Sequence, residues 1–165
     1  MSSIGSSAFV NSSIVQALHD WPFALWLRTA PLVYPALESL HLIAIATTFG
    51  TLLIVDLRLL NVGVFGLRQF DVNAIAKAVL PWTLFGFVFA AITGGLMFLS
   101  RAGDFISNGA FLIKMLLLFA AATNAGILHS RGRLDATHFV TRMQAAVSLI
   151  IWITVIVCGR WIAYV

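Results

Sequence analysis

Four long apolar runs constrain this chain more than any other feature. They cover about 35–55, 82–100, 110–129 and 144–164. Each is close to the roughly 20 residues that a helix needs to cross the hydrocarbon of a bilayer. No water is available there to satisfy backbone groups, so spans of this kind must be helical. The composition agrees, with 61% hydrophobic and 10% charged residues, against about 25% charged in an ordinary soluble domain. The chain therefore reads as an all-α integral membrane protein. Its modest connections predict an up-down four-helix bundle with antiparallel neighbours, forming one domain over 31–165. Pro81 opens or kinks the second run, and 72–80, with Lys77, forms an amphipathic approach to it.

Residues 1–30 read differently. The Ser-rich start, 1–13, has no Lys or Arg ahead of the first apolar stretch, which does not match a cleaved signal, so the mature chain is expected to begin near Met1. The stretch IVQALHDWPFALWLRT is apolar but interrupted by His19, Asp20 and Arg28. Asp20 ahead of Trp21 and Pro22 marks a helix start with proline in the first turn. The aromatic surface of this stretch predicts an interfacial amphipathic helical segment rather than a span.

The net charge of +4 is spread over loops, with no basic stripe to suggest nucleic acid. It bears instead on topology. Arg58, Arg68, Lys77, Arg131, Arg133 and Arg142 lie on the side of the first and third connections; Arg28, Arg101, Lys114 and Arg160 lie on the other. Placed in a bacterial inner membrane, this bias puts both termini in the periplasm. Cys158 is the only cysteine, so no internal disulfide can form, and no CxxCH sequence is present for covalent haem attachment.

Polar residues inside the spans are costly, at about 2.5–3.5 kcal/mol for each charge by insertion scales. Glu38 and His41 sit in the first turns of the first span, Lys114 in those of the third, and Arg160 in the last turns of the fourth. At about 1.5 Å of rise per residue these four share one level, roughly 5–8 Å inside the outer boundary. Met97 and Cys158 lie close to it. Glu38 and His41 are three apart and share a helix face. The four groups are therefore expected to face one another or a bound polar ligand, although an ion-pair network without cofactor satisfies the same pattern. On the inner side, Asp56 and Arg58 read as a boundary anchor and His129 as an interface histidine. Asn124 reads as an interhelical hydrogen bond, while Gly94, Gly95 and the alanines near Gly126 allow close helix approach.

For a b-type haem, His41 is the embedded axial candidate, and Lys114 serves as sixth ligand or propionate partner. Arg160 and Arg101 could neutralise propionates, and His19 is a second outer-side ligand candidate. Pairing His41 with His129 fails, because most of the membrane separates them. Copper could instead use His41, Met97 and Cys158, from three helices. HExxH is absent, and the single Glu rules out a carboxylate-rich di-iron bundle.

The runs YPALESLHLIAIATTFGTLLIVDLRLLN, GAFLIKMLLLFAAATNAGILH and SLIIWITVIVCGRWIAY resemble a DUF6644-like group of small bacterial integral-membrane proteins, from about Trp21 to Tyr164. That likeness brings no activity with it. A histidine early in the first span and a lysine early in the third are also similar to HemJ-type protoporphyrinogen oxidases and CopD-type copper-resistance proteins. The HemJ likeness implies haem b at His41 and Lys114. The segment DLRLLN departs from the HemJ pattern, which argues against protoporphyrinogen oxidation.

The expected function is electron transfer through haem b, with a quinone or a partner redox protein. Glu38 would orient His41 or take protons, and Arg160 would balance charge. Copper handling is the alternative, and a cofactor-free structural subunit that forms homo-oligomers is the third.

Overall fold

The computed structural model describes residues 16, 17, 20–130, 132–162 and 164. The Ser-rich start, His19 and Arg131 lie outside these. The described elements are α1 (Pro22–Thr29), α2 (Val33–Leu59), a 3-10 helix (Val64–Gln69), α3 (Val72–Ser100), α4 (Ala102–Ser107), α5 (Gly109–Ser130) and α6 (Phe139–Trp161). No strand occurs among the described residues. Helices α2, α3, α5 and α6 are each long and apolar enough to cross a membrane. Their outward faces carry Leu42, Phe85, Leu116, Phe119 and Ile150, while Thr48, Thr83, Thr93 and Ser100 are buried between helices. Apolar groups outside and hydroxyls inside suit lipid and not water as the surrounding medium. The chain is a multi-pass membrane protein with an all-helical bundle.

Helix α2 packs against α3 and α6, α5 packs against α6, and α1 lies on α3 and α2. Helices α3 and α5 make no close backbone approach. At the end where α2 begins, three rings bridge them: Phe98 of α3 stacks on Phe111 of α5 at 5.5 Å, and Phe105 of α4 meets both. Residues 101–109, RAGDFISNG, join α3 to α5. They contain a helical turn because Phe105 is drawn into this cluster.

The closest packing joins α2 to α3. Ala44 and Thr48 are buried there, and Gly86 opposes them. A Cβ on Gly86 would stand 2.7 Å from Thr48 Oγ1 and 3.1 Å from the Ala44 carbonyl oxygen. Higher along the same seam, Thr83 Oγ1 donates to Thr51 Oγ1 at 2.8 Å. Gly86→Ala should therefore destabilise the bundle by about 1–3 kcal/mol through overpacking. Gly95→Ala, which meets nothing within 4 Å, should be neutral or stabilising. Thermal melting of the two variants checks this, and equal melting temperatures would refute it.

The ends are set by local chemistry. Asn61 adopts φ 60° after α2, with Val62 N–H donating to Leu57 at 3.0 Å and Asn61 N–H to Arg58 at 3.1 Å. This is the left-handed helix stop that asparagine tolerates. Asp71 caps α3, accepting from Ala74 N–H at 3.2 Å. The helix then continues through Pro81, so the proline does not open it. One missing hydrogen bond does not end it, because α3 packs along α2 and Thr83, just past the proline, bonds Thr51. Asn73 clasps Leu134, donating to its carbonyl at 3.0 Å and accepting from its N–H at 2.9 Å. That ties the connection before α6 to the start of α3.

Candidate functional site

His41 lies about 12 Å of helix rise from the start of α2, and Thr93 about 10 Å from the end of α3. In antiparallel neighbours these depths coincide, and the two side chains meet. His41 Nδ1 and Thr93 Oγ1 are 2.9 Å apart. Thr93 is buried, and its hydroxyl donates back to the Phe89 carbonyl at 2.8 Å, with Ala90 at 3.2 Å. A hydroxyl has one proton to give. Spent on its own helix, it leaves Thr93 Oγ1 to accept from His41 Nδ1–H, and His41 Nε2 keeps its lone pair.

Gly94 makes the room. A Cβ there would come within 2.9 Å of His41 Cε1 and 3.7 Å of Nε2. The imidazole thus rests on bare backbone of α3, with Thr93 holding one nitrogen.

The other pair of helices reaches the same place. Lys114 of α5 is half-buried and lies within electrostatic range of His41 and of Cys158 on α6. Its Nζ stands 3.6 Å from where a Cβ on Gly159 would lie. Four helices therefore converge on His41, Thr93–Gly94, Lys114 and Cys158–Gly159. Asn108 fixes the nearby ends of α5 and α6. Its Oδ1 accepts from Ala110 and Phe111 N–H at 2.9 and 3.2 Å, and its Nδ2 donates to the Ile162 carbonyl at 3.3 Å.

The remaining candidates are placed differently. Glu38 is exposed, one turn nearer the start of α2. Among the described residues it forms no ion pair with Lys114 or Arg160. Thr93, not Glu38, orients His41. Arg160 is exposed, donates from Nη2 to the Tyr164 hydroxyl at 2.7 Å and covers that ring at 5.1 Å. Arg101 is exposed and stands 5.0 Å over the Tyr34 ring, and Glu38 and Asp104 also lie within electrostatic range of that tyrosine. These exposed groups lie toward the same end of the bundle as the half-buried His41. Met97 is half-buried, one turn beyond Thr93 on α3. His129 is exposed at the far end of α5, its Nδ1 3.0 Å from the Ala125 carbonyl. Asn124 Nδ2 donates to the Gln144 carbonyl at 3.1 Å, the interhelical bond expected of it.

Thr93 and Gly159 were absent from the residues singled out in the sequence. The available signal was a Thr-Gly pair on α3 at the depth of His41. Asp56 differs more sharply from expectation. Read as a boundary anchor, it is 3% exposed. Helix α2 continues past it to Leu59, so its side chain turns into the bundle.

Among the described residues no three His, Cys, Asp or Glu side chains gather closely enough to chelate a metal ion. A porphyrin supplies four nitrogens of its own, so a haem iron needs only one or two donors from the chain. His41 Nε2 is a donor of the right kind, and Lys114 brings an amine to the same level. No curated protein and no solved structure matches the chain, so the likeness to HemJ-type and CopD-type proteins finds no support there. The model of DUF6644, a family of unknown function, matches residues 27–165, and the chain belongs to that family.

Proposed function

We propose that the chain is a membrane b-type haem protein in which His41 is the axial ligand. The observation that carries this reading is the preset imidazole, with Nδ1 engaged by Thr93 and the ring seated on Gly94. A hydrogen bond that fixes one ring nitrogen is how a ligating histidine is oriented. Lys114 would ligate from the opposite helix or hold a propionate. Arg101 and Arg160, at the rim, would meet the carboxylates as they emerge toward water. The ring cluster of Phe98, Phe105 and Phe111 excludes water between α3 and α5. When bound, haem would supply a one-electron couple, exchanged with a quinone or a partner redox protein. The site would face the periplasm of a bacterial inner membrane, with both termini on that side.

The test is a visible absorption spectrum of the purified full chain. A Soret band that shifts on reduction with dithionite supports the proposal. Its absence after expression with haem precursor refutes it. Copper held by His41, Met97 and Cys158 is the second reading, favoured by the half-buried Cys158 thiol beside Lys114. No Soret band together with stoichiometric copper by elemental analysis would support it. Neither signal would favour a structural subunit that acts through oligomerisation.

A further inference from the structure

The opposite end of the bundle contains an unsatisfied carboxylate. Asp56 is 3% exposed, and its Oδ2 is buried with no hydrogen-bond partner. Ser148 of α6 is within hydrogen-bonding reach of the carboxyl. One turn before Ser148, Gln144 Oε1 is also buried without a partner. Helices α2 and α6 pack against each other. Leu59, one turn beyond Asp56, and Ala145, next to Gln144, belong to one buried cluster. Two orphaned oxygens from adjacent helices thus lie beside the same core. As a carboxylate Asp56 offers only acceptors, and the Gln144 oxygen cannot donate to it.

Among the described residues no cation resolves this. Arg58 donates from Nε to the Phe70 carbonyl at 2.8 Å, and Arg68 likewise to Asn61 at 2.8 Å. Lys77 of α3 and Arg142 of α6 are exposed. Among the described residues none lies within ion-pair distance of Asp56. An ionised carboxylate away from water is strongly disfavoured without an opposite charge, and embedded ionisable groups that lack a structural partner serve ions or protons.

We propose that this end of the bundle holds a monovalent-cation site, separate from the His41 site, in which the Asp56 carboxylate, with Gln144 and Ser148 of α6, takes a sodium ion or a proton. A single carboxylate balances a single positive charge. Carboxylate and hydroxyl oxygens suit a hard cation, and the unpaired Gln144 oxygen adds a neutral donor of the kind such ions accept.

The experiment is thermal melting of the full chain in nanodiscs, wild type against Asp56→Asn. Sodium chloride is exchanged for choline chloride at constant ionic strength, from mildly acidic to mildly alkaline pH. A guest that binds only the folded chain raises its melting temperature. If sodium is the guest, wild type should gain about 3 °C in sodium at alkaline pH. If a proton is the guest, wild type should gain a similar amount as pH falls, with no response to sodium, because a folded state that binds the proton more tightly is stabilised by acid. Asp56→Asn should lose the response in either case. Should that variant not accumulate, Gln144→Ala serves, with the response reduced. A wild type whose melting temperature responds to neither ion, or whose response survives in the variants, overturns the proposal.

Discussion

Replacing His41 by alanine is expected to abolish the Soret band of the purified protein, whereas His129→Ala leaves it intact. His41 is the embedded imidazole whose Nδ1 is held by Thr93 at 2.9 Å. His129 is exposed at the far end of α5 and turned onto its own helix. On the haem reading, removing the axial nitrogen would leave a porphyrin with apolar contacts and a lysine amine, too little to retain it through purification. The expected change is therefore all-or-none. The variant should still assemble, because His41 is only half-buried and the α2–α3 seam rests on Ala44, Thr48 and Gly86. The reverse pattern, with the band lost in His129→Ala and kept in His41→Ala, would refute the assignment.

Gly94→Leu should reproduce most of that loss without touching a ligand. A Cβ at this position already stands 2.9 Å from His41 Cε1, closer than side chains tolerate, and leucine extends further. The imidazole must leave Thr93, taking Nε2 with it. Overpacking of this kind costs about 1–3 kcal/mol, and each 1.4 kcal/mol is tenfold in affinity, so haem affinity should fall by about fivefold to a hundredfold. Gly95→Leu is the control. A Cβ on Gly95 meets nothing within 4 Å, and both substitutions relieve the same glycine penalty of about 1 kcal/mol in a helix. A Soret band that persists in Gly94→Leu, or is lost equally in Gly95→Leu, would mean that the cradle does not seat the ligand.

These outcomes separate the His41 site from the Asp56 site. The spectrum reports on one end of the bundle and the cation-dependent melting on the other. Failure of the haem reading would leave the orphaned Asp56 oxygen unexplained, and failure of the cation reading would leave His41 seated as it is.

Much of the fold was legible in the sequence because lipid permits few solutions. The four apolar runs correspond to α2, α3, α5 and α6. Their boundaries shifted most where polar residues had been read as ends. Pro81 and Asp56 both lie inside helices, since packing on α2 carries α3 past its proline, and α2 itself continues to the asparagine stop at Asn61. Depth was legible too, because helical rise converts residue number directly into level. His41, Lys114 and Cys158 were placed at one level from that alone.

Azimuth was not legible. All four spans are apolar all round, so no hydrophobic face told which way Glu38, Arg160 or Asp56 would turn. The sequence by itself determined a membrane bundle and the height at which its polar residues sit. Only the tertiary structure decided which of them face inward: it paired His41 with Thr93 over Gly94, sent Arg160 out to Tyr164 and buried Asp56. The physical reason is that lipid and an apolar core look alike to a side chain, so rotation about each helix axis is set by helix-to-helix contacts and not by hydropathy.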